Sequence, residues 1–470
     1  MLDGKRRIHL IGIGGTGMSA LARVLHEAGY TVTGSDLNLS PAAVSVAQLG
    51  VVVRQGHHAE NVEGCELVVV SSAIPTGNPE IVRASELGIP VVKRAEVLGE
   101  LTRAKRSILV AGTHGKTTTT SMIAVALEQG GLSPTILVGG EVADLGTSAR
   151  LGSGDYLVAE ADEYDATFLK LAPWIAVVTN VEPDHLDFYA NFDAIVDAFD
   201  RFLRLVPDDG CGVLCWDDPT LRRLAAKLSL KTVSYGFSPG AEWRATRVRR
   251  NVRWGNDFTV LRSGRRLARL SLAIPGKHNV LNALAATAVG SELGLSMERI
   301  AISLAQFKGA LRRFEYKGQA GGVVVYDDYA HHPTEIAATL RAARERHSGR
   351  IWAVFQPHTY NRTKHMLQDF ARALELADCV VVTDVYAPAG REMETYEVSS
   401  KDIVSRMNHL CAHHIASLAD AVDFLCGQLR PGDMLLTMGA GNVNQMAGEV
   451  LAQLAITDQH SADGQKVADR

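Results

Sequence analysis

Ser107-Ile108-Leu109-Val110-Ala111-Gly112-Thr113-His114-Gly115-Lys116-Thr117-Thr118 is the stretch whose reading decides the fold. Its first residues form an apolar run of buried-strand length. Thr119 to Gln129 then has the length of a helix and stops at Gly130-Gly131. Strand, glycine-bearing turn and helix N-terminus make a phosphate cradle. The glycines admit backbone N–H groups to the anion, and the helix dipole favours negative charge there. Lys116 adds a point charge for terminal phosphates, and Thr117 offers a hydroxyl to Mg²⁺. The strict P-loop pattern asks for glycine where this chain has Val110. Strand, glycines, lysine, hydroxyl and helix still agree, so nucleotide binding is expected rather than an ordinary strand-to-helix turn.

Upstream, Ile8-His9-Leu10-Ile11 runs into Gly12-Ile13-Gly14-Gly15-Thr16-Gly17, a helix-like run to Glu27, a strand Tyr30 to Thr33, and Gly34-Ser35-Asp36. This is a complete G-x-G-x-x-G fingerprint with an acid after the second strand, and taken alone it reads as NAD binding. The physics is less specific: a diphosphate on a helix N-terminus and a ribose hydroxyl on Asp36, which any nucleoside diphosphate satisfies. Glu66 to Val70 reads as another strand, delivering Ser71-Ser72-Ala73 to the same crevice. A boundary is expected after residue 106.

Downstream, Tyr156 to Ala159 delivers Glu160-Ala161-Asp162-Glu163-Tyr164-Asp165, and Ile175 to Thr179 delivers Asn180-Val181-Glu182-Pro183-Asp184-His185. Polar residues directly after buried parallel strands sit on the ligand-binding edge, so both clusters should face the P-loop. Carboxylates and an imidazole beside a triphosphate suit Mg²⁺, and the expectation falls on Glu160 and His185 rather than the other acids. From Trp243 to Leu272 the period becomes two, with arginines at alternating places and a hairpin turn at Ser263-Gly264. A solvated antiparallel face explains that basic stripe better than a nucleic-acid patch. Pro275-Gly276-Lys277-His278-Asn279-Val280-Leu281-Asn282 opens a helix with two asparagines on one face, suited to reading adenine but equally common at helix ends.

A third α/β unit is expected to begin after Gly321-Gly322. Val323 to Tyr326 delivers Asp327-Asp328-Tyr329, and Ile351 to Phe355 delivers Gln356-Pro357-His358 with Arg362 following. Met434 to Thr437 delivers Gly439-Ala440-Gly441-Asn442. His331-His332 lacks a third ligand at zinc spacing. The tail 457–470 is polar and expected to be disordered. The 470 residues ask for two or three cores, and 46% apolar with 21% charged residues fits a soluble globular chain. A net charge of −4 gives no reason to expect nucleic-acid or membrane binding, and no apolar run is long enough to span a bilayer. Six scattered cysteines read as free thiols of a reducing cytoplasm.

In order and spacing, these motifs resemble the Mur ligases of peptidoglycan synthesis, over Arg7 to Leu454. The resemblance rests on residues 12–18, 71–74, 112–118, 160–165, 184–185, 275–282, 312–314, 327–333 and 356–358. It implies three consecutive α/β domains: a Rossmann-like UDP-sugar domain (1–106), a P-loop ATP domain with an antiparallel addition (107–318) and a Rossmann-like amino-acid domain (319–456). UDP-N-acetylmuramate would then lie on Gly12, Gly14, Gly15, Gly17, Asp36, Ser71 and Ser72. ATP would lie on Gly112, Thr113, His114, Gly115, Lys116, Thr117 and Thr118, with its adenine side on Asn279 and Asn282. Mg²⁺ would be held by Thr117, Glu160 and His185. Lys116, Glu160, His185, Arg313 and Asp328 would be catalytic, the last two clamping ATP as the third domain closes. His358 and Arg362 would grip L-alanine, and the chain would be a cytoplasmic monomer or weak homodimer. A sibling that attaches a ready-made tripeptide, or remotely an NAD-dependent dehydrogenase, are the alternatives. Some family members carry a carbamylated lysine; Lys170 is the lysine nearest the acid cluster and no such role is assigned to it.

Overall fold

The computed structural model describes residues 1–186, 188–387 and 398–468, with 457–468 described in backbone alone. The chain divides into two compact units, Met1–Ala273 with His278–Ala310, and Ile274–Lys277 with Leu311–Arg470. The first holds two sheets and the second holds one.

The first sheet consists of β1 (Arg7–Ile11), β2 (Thr31–Asp36), β3 (Val52–Gln55), β4 (Leu67–Val70) and β5 (Val91–Lys93). Its order is β3-β2-β1-β4-β5, all parallel. Chain direction across the sheet reverses between β1 and β4, which opens a crevice at their C-terminal ends. The loops carrying Gly12 and Ser71 meet there, since a Cβ on Gly12 would lie 3.2 Å from Ser71 Cβ.

The second sheet comprises β6 (Arg106–Ala111), β7 (Thr135–Val142), β8 (Thr147–Arg150), β9 (Tyr156–Glu160), β10 (Ile175–Val178), β11 (Cys211–Cys215), β12 (Thr232–Gly236), β13 (Trp243–Arg250), β14 (Asn256–Arg262) and β15 (Arg265–Ser271). In the order β15-β14-β13-β12-β11-β10-β6-β9-β7-β8, the P-loop strand β6 lies between β10 and β9. Both strands that deliver acids and histidine therefore flank it, with Val110 in register with Glu160 and Ala111 with Val178. The period-two region is the antiparallel β13–β14–β15 addition, and its Ser263-Gly264 turn has φ of 47° and 80°, the left-handed pair a tight hairpin needs.

Two helices of this sheet are buried on all sides, Lys116–Gln129 and Lys277–Glu292. The first tolerates burial of its hydroxyls because they bond back within the helix: Thr120 to Lys116 O at 2.8 Å and Ser121 to Thr117 O at 2.7 Å. Helix Phe192–Leu203 is amphipathic by contrast, capped by Asn191 and burying Phe199 and Phe202. Both rings pack on Phe168, at centroid distances of 5.3 and 4.8 Å. Phe168 belongs to the segment directly after the acid cluster, so this aromatic knot anchors the cluster from below.

The third sheet takes up β16 (Glu315–Ala320), β17 (Val323–Asp328), β18 (Ile351–Phe355), β19 (Cys379–Val382), β20 (Ala412–His414) and β21 (Met434–Met438) in the order β16-β17-β21-β18-β19-β20. Its two faces bury separate apolar layers, one around Ile336, Phe355 and Phe370 and the other around Trp352, Leu425 and Val450.

Three expectations need correcting. Gly321-Gly322 is the turn of the β16–β17 hairpin, with φ of 57° and 69°, so the third sheet begins at Glu315, before the 318/319 boundary. Helix Gln445–Ala468 runs through most of the segment expected to be disordered; once Met446, Ala447 and Val450 have packed, each further helical residue no longer bears the nucleation cost. Cys379 and Cys411 are disulfide-bonded with Cα atoms 4.8 Å apart, because parallel pairing of Val380 with Ala412 sets the preceding residues side by side. Among the described residues no helix is long and apolar enough to cross a membrane.

Phe202→Ala leaves Phe168 without its stacked partner, so urea unfolding of the chain should show a loss of about 3–5 kcal/mol. A smaller loss than in an exposed-site control such as Leu205→Ala would refute the anchoring role.

Candidate active site

At the end of β6 the chain turns on Gly112 (φ 129°) and Gly115 (φ 81°) before helix Lys116–Gln129. No side chain fits at either place. A Cβ on Gly112 would collide with Thr179 Oγ1, and one on Gly115 would lie 2.9 Å from Asn282 Oδ1. Asn180 clamps the turn from β10, its Oδ1 accepting from His114 N at 2.8 Å and its Nδ2 donating to His114 O at 3.0 Å. Thr113 exchanges hydrogen bonds with the Glu182 backbone. Asn282 braces the other side, accepting from Thr119 Oγ1 at 3.1 Å and donating to Asn279 Oδ1 at 3.0 Å.

Lys116 points into this turn. Its ammonium donates to Glu163 Oε1 and Oε2, each at 2.9 Å, and to Gly112 O at 2.6 Å. Burial alone would lower its pKa, but Glu163, Asp162 and Glu160 outweigh burial and hold it above the ordinary lysine value. Just past Glu163 the chain folds back sharply, with Asp165 and Ala166 at φ of 56° and 50°. Tyr189 secures the fold-back by donating to Glu163 O at 2.6 Å.

Glu160 ends β9 and accepts from Gly139 N at 2.6 Å. His185 stands against Tyr164 and has Nε2 3.8 Å from Glu163 Oε1. Asp162, Glu163 and His185 each offer a ligand atom within 4.8 Å of one another. Two carboxylates beside a buried ammonium and a threonine hydroxyl fit an oxygen-seeking cation shared with phosphate. The group of acids and histidine close enough to share a cation is thus Asp162, Glu163 and His185; of the expected set of Thr117, Glu160 and His185 it contains His185. Glu163 and Asn180 stand in the clusters expected to face the P-loop, but neither is assigned a role from the sequence, where Glu163 is set aside in favour of Glu160; Tyr189 carries no signal at all.

In the first sheet, Gly12 N and Ile13 N donate to Ser35 O at 2.8 and 3.1 Å, and Gly14 N donates to Asp36 Oδ2 at 2.8 Å. Gly15 stands at the N-cap of helix Thr16–Glu27, and Gly17 packs on the Arg94 guanidinium. Ser71 and Ser72 follow β4 beside this loop. The two glycine turns share one compact unit, and Lys93 at the end of β5 lies 3.8 Å from Asp165 in the acid cluster.

The remaining expected residues belong to the second unit. Arg313 lies over the Tyr329 ring and 3.9 Å from Glu335. Asp328 accepts from Phe314 N and Ala330 N, both at 2.8 Å. Burial pushes its carboxyl up to about 6, against the pull of Arg313. His358 follows β18 and stacks on Tyr386, and Arg362 lies on helix Tyr360–His365.

A carboxyl whose folded pKa is raised contributes stability that is complete below its unfolded value and lost as pH rises through the folded value. Relative to Asp328→Asn, the protein should therefore lose about 3 kcal/mol of unfolding free energy between pH ~4 and ~6.5. Parallel stability–pH curves for the two proteins would contradict the buried placement of this carboxyl.

Comparison with known proteins matches the descriptions Mur ligase family, catalytic domain, at residues 7–106, Mur ligase middle domain at 110–290, and Mur ligase, glutamate ligase domain, at 312–441. The chain is 47% identical over 453 residues to a UDP-N-acetylmuramate–L-alanine ligase of Geobacter sp. (strain M21), covering 95% of this chain and 97% of the relative. It is 46% identical to the Pelotomaculum thermopropionicum protein of the same description, covering 96% and 98%. Among solved structures, UDP-N-acetylmuramate–alanine ligase of Thermotoga maritima matches with TM-score 0.81 and 31% identity, over 95% of this chain and 98% of that one. A murein peptide ligase of Psychrobacter arcticus matches with TM-score 0.73 and 28% identity, over 96% and 99%. With all three family regions present in order along its length, the chain belongs to the Mur ligase family.

Proposed function

We propose that the chain is an ATP-dependent ligase that joins L-alanine to the lactyl carboxylate of UDP-N-acetylmuramate in cytoplasmic peptidoglycan precursor synthesis. The observation that carries this reading is the pair of glycine-turn anion sites in one unit, with a buried lysine and clustered carboxylates at the second. Full-length relatives at 43–47% identity carry the L-alanine description, and the solved alanine ligase matches with TM-score 0.81 against 0.73 for the murein peptide ligase, which favours L-alanine over a tripeptide as the amine.

UDP would rest on Gly12, Gly14, Gly15, Gly17, Asp36, Ser71 and Ser72. ATP phosphates would rest on the 112–118 turn, with Asn279 and Asn282 toward adenine. A lactyl carboxylate oxygen attacks the γ-phosphorus and ADP leaves, forming an acyl phosphate. The amine nitrogen of L-alanine then attacks that carbonyl carbon, inorganic phosphate leaves, and the nitrogen gives up a proton. The first step brings two anions together, and Lys116 supplies the fixed positive charge that makes the approach tolerable. Mg²⁺ held by Thr117, Glu160 and His185, the last of which has Asp162 and Glu163 beside it, would supply further charge neutralisation and orient the phosphates.

The direct test is ADP release with UDP-N-acetylmuramate, comparing L-alanine, glycine, L-serine and the tripeptide. L-alanine should give the highest kcat/KM; preference for the tripeptide would overturn the reading. Lys116→Ala should abolish ADP release while UDP-N-acetylmuramate still binds in calorimetry, and loss of both by a folded variant would contradict separate anion sites. Arg362→Lys trades a two-pronged contact with the L-alanine carboxylate for a point charge, so KM for L-alanine should rise by the equivalent of about 1.5–3 kcal/mol. An equal rise for all three substrates would place the amino-acid pocket elsewhere.

A further inference from the structure

The first sheet contains a polar cluster that the ligase chemistry does not use. Its centre is Glu80, in the first turn of helix Pro79–Glu86, with a side chain wholly shielded from solvent. One carboxylate oxygen accepts from Ser35 Oγ at 2.6 Å and lies 3.1 Å from His57 Nδ1. The other accepts from Asn61 Nδ2 at 2.5 Å and lies 3.7 Å from His9 Nε2. Asn61 is itself held by Arg54 at 2.9 Å, and Asn78 caps the helix by accepting from Glu80 N. Burial alone would raise this carboxyl, but the nearby His9 and the bonds from Ser35 and Asn61 outweigh it and bring it to about 2, so it is an anion throughout the working range.

A buried carboxylate is costly, and a partner set drawn from β1, β2, the segment after β3 and the Ala59–Val62 turn makes it a fixed node rather than a chance survivor. The decisive partner is Ser35. Its carbonyl receives Gly12 N and Ile13 N, and the next residue, Asp36, receives Gly14 N. Three successive amides of the glycine loop are thus registered on the end of β2, and Glu80 fixes that end from behind. Helix Pro79–Glu86 also terminates the Ser71–Asn78 loop, whose Ser71 and Ile74 pack on Gly12. One carboxylate therefore joins both walls of the crevice.

We infer that Glu80 is the positioning residue of the UDP-sugar site, setting the glycine loop and the Ser71–Ser72 loop in register through Ser35 without touching the substrate. This rests on the reading of the first sheet as the holder of UDP-N-acetylmuramate. Displacing groups that bind a ligand by an ångström costs far more than their own packing energy, because every contact to the ligand shifts together.

The test is steady-state ADP release by the full-length enzyme, with KM measured for each substrate separately. Ser35→Ala cuts the link while leaving the backbone carbonyl in place, and should raise KM for UDP-N-acetylmuramate about tenfold, with KM for ATP and L-alanine unchanged. Glu80→Ala should do the same or more, and Glu80→Gln, which keeps an acceptor for Ser35, should recover part of the loss. Val51→Ala is the structural control: it is buried in an apolar layer of the same sheet, before β3 and outside the polar cluster. It should lower thermal stability without moving that KM. A KM rise in Val51→Ala equal to that in Ser35→Ala would show general loosening and overturn the proposal, as would Ser35→Ala with an unchanged KM. Asp36→Asn separates the two levels of the argument. If it raises KM for UDP-N-acetylmuramate and Ser35→Ala does not, only the positioning role fails; if neither does, the UDP-sugar reading of this sheet fails with it.

Discussion

The constraint on which the rest of the structure depends is the buried ammonium of Lys116. Removing such a charge from water costs several kcal/mol unless an opposite charge and further acceptors replace the solvent. Glu163 and Gly112 O are that replacement, and supplying them dictates much of the second sheet. β9 must lie beside β6 so that the acid cluster opens next to the turn. The chain must then fold back through Asp165 and Ala166, backbone conformations that each cost on the order of 1 kcal/mol. Tyr189 and the Phe168 knot keep that bend in place. A phosphate that takes Lys116 competes with Glu163 for the same protons, so the acid cluster and the nucleotide turn respond to one another as a single unit.

The two glycine turns are held in place by different chemistry. Both present amides at a helix N-terminus, and both need glycine where the backbone turns left-handed. The first sheet registers its loop with a carboxylate and a strand carbonyl, Asp36 and Ser35. The P-loop is registered by neutral amides: Asn180 both donates to and accepts from His114, and Asn282 closes against Gly115. Neutral braces at the second turn leave its charge to Lys116 and the acid cluster beside it.

What was legible in the sequence follows the range of the interaction that fixes it. The strand–turn–helix at 107–129 and the fingerprint at 8–36 are local, so period, glycines and the following helix identify them without knowledge of the fold. The clusters after β9 and β10 were legible as ligand-edge residues because parallel sheets put strand C-termini on one side. Gly321-Gly322 shows the limit: a glycine pair ends one element and starts another whether it divides domains or turns a hairpin, and only the partner strand decides. The Cys379–Cys411 pairing depends on the register of two strands separated by a helix and a loop, which no spacing rule contains.

The roles of Glu163, set aside among the acids of its cluster, and of Glu80, not singled out at all, were illegible for a common reason. Both are carboxylates in short polar stretches, and in isolation such residues belong on a solvated surface. What distinguishes them is that their surroundings are supplied from elsewhere in the chain: Lys116 for one, His9, Ser35 and Asn61 for the other. Burial of a charge requires partners chosen in advance, so each buried acid implies a set of donors on neighbouring elements. In this fold one donor of each set touches a glycine turn: Ser35, whose carbonyl receives Gly12 N and Ile13 N, and Lys116, directly after Gly115. The electrostatic cost of burying an acid is therefore offset at the places where the backbone must be held still, which ties the stability of each sheet to the shape of its own anion site.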